Sequence, residues 1–525
     1  MVDHAQSEPK GRVTLFERRQ HHFIRAAVVG LLAGAVALLF QWSLYSAETA
    51  RQALLNSLHV HPMWGWAVLP LIGGVVGGLV GWLTVAIAPE SAGSGIPHVK
   101  AVLLYLREFR WARVLPVKFI AGVLGIGAGL SLGREGPTVQ LGAAVGKGVG
   151  VLLRVPRRSR MHLITCGAGA GVAAAFNAPL AGFIFVIEEL RRELSPVTYG
   201  TALIASVTAD MVTRTFHGQM PSFAIHGYPM PPLSALPLVA LVGLVCGLLG
   251  VVFNRGLIFG LDAYARYVPG PRWIHPAYAG ILAGLVAWWL PDAVGGGHQS
   301  AERVLTGALG GIGVILALFV AKFALTVISY GSGAPGGIFA PLLLLGALIG
   351  LMIGQLAALV IPGSPTPAAF AVIGMAAYFS AIVRAPLTGI VLIIEMTGNY
   401  EQMFALVVAC LTAYLVAERL GDVPIYEALL QRDIARIPNA SLATEGARES
   451  TILHKVVESG SKLEGKTLRD AGLPPGCLVV VIERAGSEIV PDGSTQLAVG
   501  DELVLALHGA TGKMMLCIDE LTRGT

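Results

Sequence analysis

The chain has 525 residues, of which 54% are hydrophobic and only 13% charged, against about 25% charged in ordinary soluble domains. Its 37 Lys and Arg against 32 Asp and Glu leave a net charge of +5, too small over this length to indicate a nucleic-acid partner. A water-soluble globular protein is excluded, and a lipid bilayer becomes the expected surroundings, because apolar runs near the roughly 20 residues a bilayer requires recur along the chain.

Residues 1–22 form a polar lead-in. Apolar runs follow at 27–42, 66–87, 236–253, 277–290, 312–327, 340–361 and 404–417. Arg12, Arg18, Arg19 and Arg25 precede the first run, and Arg107, Arg110 and Arg113 follow the second. By the positive-inside rule these put the N-terminus in the cytoplasm. The first run starts late and is span-length, so no cleavable signal peptide is visible. The membrane body covers 23–432, a linker 433–448, and a soluble appendage 449–525. In the appendage the β-branched run 477–482, the turn 484–487, residues 488–490, Pro491-Asp492-Gly493 and 500–506 read as short strands around Gly and Asp turns. They predict a small cytoplasmic α+β domain.

The chain holds 66 glycines. Within apolar stretches Gly and Pro cluster at Gly93-Ser94-Gly95-Ile96-Pro97, Gly133-Arg134-Glu135-Gly136-Pro137 and Gly336-Gly337-Ile338-Phe339-Ala340-Pro341. Such helix breaks are tolerated at membrane depth only where the backbone is buried in protein or lines a polar cavity. Broken helices in both halves point to an inverted-repeat transporter with its site near the midplane. A weak echo supports two halves. Ala178-Pro179-Leu180-Ala181-Gly182 leads to Glu188 and Glu189, and Ala385-Pro386-Leu387-Thr388-Gly389 leads to Glu395, with the same spacing from proline to matching acid. The repeats are set at about 23–217 and 233–420, in an all-α polytopic fold.

Glu135 carries the sharpest chemical signal. An ionisable residue at membrane depth is costly and marks function by default. With Pro137 two residues on, Glu135 stands at a helix N-terminus, where unpaired amides and the helix dipole make an anion site. A carboxylate can occupy that site itself and leave it when protonated.

Other chemistries lack residues. Cys166, Cys246, Cys410, Cys477 and Cys517 lie singly, and His98, His162 and His298 are scattered without metal-ligand spacing. Neither a metal nor a cofactor is expected. There is no metal-hydrolase His pair, phosphate-cradling loop or nucleophile elbow, so the chain does not read as an enzyme.

These motifs, in order, resemble the CLC family of chloride channels and chloride/proton antiporters. Leu115-Pro116-Val117-Lys118-Phe119, 175–182 and Arg384-Ala385-Pro386-Leu387-Thr388-Gly389 extend the match over about 23–432. The resemblance implies roles. Ser94 and Tyr426 donate hydroxyls to a dehydrated chloride, and the amides of Ile338 and Phe339 complete that site. Gly93, Gly95, Pro97, Gly133, Arg134, Gly136, Pro137, Gly337 and Pro341 shape it. Glu135 is the external gate and proton acceptor, and Glu189 the internal proton relay, a position where known channels usually carry an apolar residue. Ser94 argues for chloride, because the family's nitrate-preferring members have Pro there. Neutral donors suit release, since conduction needs binding weak enough to leave. At His98 and Lys100 some relatives carry Glu, and Lys100 and Lys118 are placed near Glu189. A homodimer with one pathway per subunit is also implied.

The appendage resembles the C-terminal subdomain of regulators of potassium conductance, through 463–468, 489–493 and Gly500-Asp501. That resemblance implies a small ligand or a dimer contact at 449–525. Blander roles stand beside these. Ser94 can bond its own backbone, Tyr426 can be an interfacial aromatic, and Glu188, Glu395 and Arg384 fit capping or pairing. The reading is chloride/proton exchange in the cell membrane with both termini cytoplasmic. The alternatives are a passive voltage- or pH-gated chloride channel and a transporter gated by a ligand of the appendage.

Overall fold

Proline opens several of the helices, since its fixed φ suits the first turn and its missing N–H is no loss there: Pro62, Pro179, Pro367 and Pro386 each stand at the first helical position. The computed structural model describes residues 15–191, 196–223, 231–306, 310–361, 365–435, 450–484, 487–508 and 512–524. Most of the lead-in (1–14) and most of the linker (436–448) lie outside the described residues.

The first half comprises α1 (Leu15–Leu58), α2 (Pro62–Ile87), α3 (Ile96–Leu103), α4 (Trp111–Gly127), α5 (Glu135–Leu152), α6 (Arg157–Phe176), α7 (Pro179–Phe185) and α8 (Pro196–His217). The second comprises α9 (Leu236–Tyr267), α10 (His275–Trp289), α11 (His298–Leu305), α12 (Ile312–Gly331), α13 (Phe339–Val360), α14 (Pro367–Val383), α15 (Pro386–Thr397) and α16 (Met403–Arg419). The halves run in parallel: eight-residue α3 and α11 each follow a helix pair, and each half has a helix entered through a left-handed residue, Asn177 (φ 59°) before seven-residue α7 and Arg384 (φ 64°) before 12-residue α15. Arg384 is held there by Glu418 (3.4 Å) and by the Asp422 carbonyl (3.3 Å). α17 (Ile425–Ala435) follows the second half.

Among the described residues, five helices are long and apolar enough to cross a membrane: His21–Leu58, Pro62–Ile87, Leu233–Tyr267, Ile312–Gly331 and Phe339–Val360. α1 has 44 residues and is roughly 66 Å long at 1.5 Å per residue, well beyond a hydrocarbon core of about 30 Å. α5 and α6 are poorer in large apolar side chains because they pack on each other through glycine. A Cβ at Gly142 would overlap the Gly167 carbonyl, and a Cβ at Gly346 on α13 would overlap the Gly374 carbonyl on α14. The same close helix pair is therefore built once in each half.

There is a fourth break that the sequence reading did not include. Gly295-Gly296-Gly297 enters α11 as Gly93-Ser94-Gly95 enters α3, with φ of 68° and 88° at the outer glycines against 61° and 84°. In both, a fully buried lysine donates to the first glycine's carbonyl: Lys118 to Gly93 (2.6 Å) and Lys322 to Gly295 (2.7 Å).

The described residues divide into two compact units, one within Met1–Ile96 and Arg110–Ala428, the other within Pro97–Phe109 and Leu429–Thr525. In the second, β1 (Ser450–Val456), β2 (Cys477–Arg484), β3 (Ser487–Ile489) and β4 (Glu502–His508) form one antiparallel sheet in the order β1-β4-β2-β3. α18 (Gly512–Thr522) brings Ile518 onto a core of Val457, Leu463, Ile482, Leu503 and Leu505. Tyr105, just past α3, packs against that core.

Candidate anion and proton site

Three of the sequence-distant breaks are bonded to one another. The amides of Gly133 and Gly337 each donate to the other's carbonyl (2.6 and 2.7 Å), and Gly336 donates to Gly93 (2.9 Å). Gly136 has the Ser94 backbone and Gly337 so close that a Cβ would stand 2.8 Å from the Ser94 carbonyl and 2.9 Å from the Gly337 Cα. Only glycine fits there, and Ser94, Glu135 and the entry to α13 consequently meet.

Glu135 is the first residue of α5 and is 2% exposed. Its Oε2 accepts the amide of Ala340 in the first turn of α13 (3.2 Å). A carboxylate oxygen thus occupies an amide that a free anion would otherwise seek. Oε1 lies 3.9 Å from Arg134 Nε, and Arg134 also donates to the Ala175 carbonyl (3.3 Å).

Ser94 is buried, and its Oγ accepts the amide of Ile96 (3.3 Å). The local backbone contact open to any serine is present, and it uses the oxygen as acceptor while leaving the hydroxyl proton for another group. Tyr426, in the first turn of α17, is completely buried, and among the described residues its hydroxyl has no hydrogen-bond partner. Burial removes it from an interfacial aromatic belt. Its phenol lies within electrostatic range of Tyr330, Glu189 and Glu135. Ile338 and Phe339 are buried where α13 begins, with the Phe339 ring between Phe176 (5.1 Å) and Phe379 (4.4 Å).

Glu189 is 1% exposed and sits in a π-helical turn, Val186–Arg191, rather than on a regular α-helix. Single π turns recur at functional positions because they re-aim a side chain. Glu188 turns to the amides of Leu387 (3.1 Å) and Thr388 (2.7 Å). Lys118 donates to the carbonyls of Ser91 (2.9 Å) and Gly93 (2.6 Å). His98 and Lys100 are buried and belong to the other compact unit.

A cavity of about 570 Å³ opens in front of Glu135, with Glu48, Arg134, Gly296 and His298 among its walls. Sequence reasoning did not single out Glu48, the Ala340 amide, Gly295–Gly297 or Lys322. The signals were available for three of them: two charges, Glu48 and Arg51, just beyond the apolar run of α1, three consecutive glycines, and a lysine in the apolar run of α12.

The chain matches the voltage gated chloride channel family over residues 76–418 and the TrkA-C domain over 456–511. The H(+)/Cl(-) exchange transporter ClcA of Vibrio parahaemolyticus is 40% identical over 420 residues, which cover 78% of this chain and 89% of that protein. ClcA of Salmonella agona is 38% identical over 419 residues, covering 78% and 88%. A slow cyanobacterial Cl-/H+ antiporter of known crystal structure matches with a TM-score of 0.76 at 36% identity, over 79% of this chain and 98% of that one. A CLC-type fluoride/proton antiporter matches with a TM-score of 0.67 at 24% identity, over 78% and 98%, a likeness of fold alone. The stitched helix breaks, the Gly-packed repeats and these matches agree: the chain belongs to the voltage-gated chloride channel family, the CLC proteins, and carries a TrkA-C domain.

Proposed function

We propose that this protein exchanges chloride for protons across the cell membrane, with Glu135 as the gate both ions share. The observation that carries the reading is the Glu135 carboxylate on the Ala340 amide, 3.2 Å away. As an anion, Glu135 competes with chloride for the amides at the entries to α5 and α13. Protonation removes its charge and with it most of that attraction, so the side chain leaves and chloride enters. One carboxylate then takes either a proton or the seat of a chloride, which is the coupling an exchanger needs.

Ser94 and Tyr426 serve as the hydroxyl donors of the inner chloride seat, with the amides of Ile338 and Phe339. No lysine or arginine is assigned to it, which keeps release fast. Glu189 passes protons between the cytoplasm and Glu135. The cytoplasmic N-terminus is supported by Arg107, Arg110 and Arg113 after α2, by Arg154 between α5 and α6, and by Arg157 and Arg160 in the first turn of α6. Two crossings by α1 and α2, and two more by α4 and α5, return those loops to the starting side. The protein works as a homodimer with one pathway per subunit, and the TrkA-C domain is cytoplasmic and takes a small ligand or makes a dimer contact. No enzymatic step is involved.

The test is purified protein in liposomes under a chloride gradient, with chloride and pH recorded together, with and without valinomycin. Exchange requires protons to be driven uphill by chloride, and this must be lost in Glu135→Ala and Glu189→Ala. Chloride efflux with no proton movement above protein-free vesicles would reject exchange and leave a passive channel.

A further inference from the structure

We infer that Glu48 is a working residue of the outer vestibule: its carboxylate, in the wall of the cavity before Glu135, favours delivery of protons to that residue and opposes delivery of chloride. This rests on the exchange reading above.

With a cytoplasmic N-terminus, Glu48 lies towards the outer end of α1. It shares one cavity of about 570 Å³ with Glu135. Its Oε1 accepts the Gly296 amide (3.4 Å) in the glycine loop that mirrors the loop carrying Ser94. Two cations stand within electrostatic range of Glu48, Arg51 and Lys322, but neither lines the cavity. Arg51 donates to Ile126 (3.2 Å) and Gly127 (2.9 Å), and Lys322 to Gly295 (2.7 Å).

The other ionisable groups facing the cavity are Tyr45 on α1, Arg134 beside Glu135, and His298, Glu302 and Arg303 on α11. Arg303 pairs with Asp292 (3.0 Å), and Glu302 is exposed at the rim. His298 lies against the Phe223 ring, 4.7 Å between centroids. Tyr426 on α17 lies within electrostatic range of Glu135. Among the described residues, Glu48 is the one other carboxylate within electrostatic range of Glu135 that is hydrogen-bonded within this cavity. In a water-filled cleft with low-dielectric walls, a fixed negative charge raises the local concentration of cations and lowers that of anions.

The experiment compares full-length wild type, Glu48→Gln, Glu48→Ser and Glu48→Asp in liposomes, varying external chloride and external pH separately. Both neutral variants should lower the half-saturating external chloride about threefold and move the external-pH midpoint of exchange about half a unit towards acid. Glu48→Asp should stay near wild type in both. These opposite benefits, easier chloride loading and harder proton loading, are not what loss of a structural cap produces. Neutral variants that match wild type, or variants that lose rate while both values stay put, would overturn the inference. A wild type that moves no protons would instead overturn the exchange reading on which it rests.

Discussion

Glu188 and Glu395 cap each other's helices. The Glu188 carboxylate accepts the amides of Leu387 (3.1 Å) and Thr388 (2.7 Å) at the start of α15, and the Glu395 carboxylate accepts those of Leu180 (3.1 Å) and Ala181 (2.8 Å) at the start of α7. Each helix begins with proline, so its next two amides are the ones needing partners, and each acid comes from the far end of the partner segment. Glu188→Ala or Glu395→Ala should each cost about 1–3 kcal/mol through unsatisfied donors. The chloride:proton ratio should stay unchanged. Thermal unfolding in detergent, with flux assays beside it, checks this; a changed ratio at unchanged stability would give Glu188 a transport role.

That reciprocity was partly legible in the sequence. The equal spacing from Pro179 to Glu188 and from Pro386 to Glu395 marked two halves, and capping or pairing was the expected role of both acids. The π turn holding Glu188 and Glu189 was not legible, because a run such as Val186–Arg191 suits an α-helix equally well. The break before α11 was missed for a different reason. α11 is short and polar, His298-Gln299-Ser300-Ala301-Glu302-Arg303, so Gly295–Gly297 reads as an ordinary loop end. Ala340 offers only its amide, and no side-chain pattern announces which amide a distant carboxylate will reach.

Glu135→Gln should separate the two ions. The neutral amide keeps the shape but loses the charge-assisted bond to the Ala340 N–H, so chloride competes more easily for the seat. The expected outcome is chloride flux within about tenfold of wild type and no chloride-driven proton movement. Liposome recordings decide it, and persistent proton pumping in this variant would remove Glu135 from the proton path.

Tyr426→Phe separates binding from packing. The hydroxyl has no hydrogen-bond partner among the described residues, so the isosteric ring should fold with stability within about 0.5 kcal/mol of wild type. Chloride affinity should fall by about 1 kcal/mol, the worth of a typical hydrogen bond. Isothermal titration with chloride gives the answer. A loss of stability with unchanged chloride affinity would return Tyr426 to a purely structural role.

Lys118 and Lys322 occupy matching places in the two repeats, but only Lys118 supports the loop carrying Ser94. Replacing either with Met strands buried carbonyls, at about 1–3 kcal/mol in stability. Lys118→Met should also weaken chloride binding, and Lys322→Met should leave it close to wild type. Unfolding and chloride titration on both variants test the asymmetry, and equal chloride affinities in the two would end it.

In the TrkA-C domain, fully buried Asp501 takes two bonds of 2.7 Å from Arg484 on β2 and one of 2.8 Å from the Ala498 amide. The Arg484 hydrogen bonds hold its carboxyl below the ordinary aspartate range. A carboxyl whose folded value is depressed stabilises the fold fully above its unfolded value, about 3.9, and loses that contribution as pH falls through the folded value. Acid therefore removes this anchor between β2 and the β4 entry, and Asp501→Asn removes it at every pH. Hydrogen exchange on the full-length protein, corrected for intrinsic rates, should show wild-type β2 and β4 protected at pH 7 and loosened below about pH 4. Asp501→Asn should already be loosened at pH 7. Equal protection of the two proteins at pH 7 would mean that the hydrophobic core around Ile482 and Leu503 holds the sheet without the ion pair.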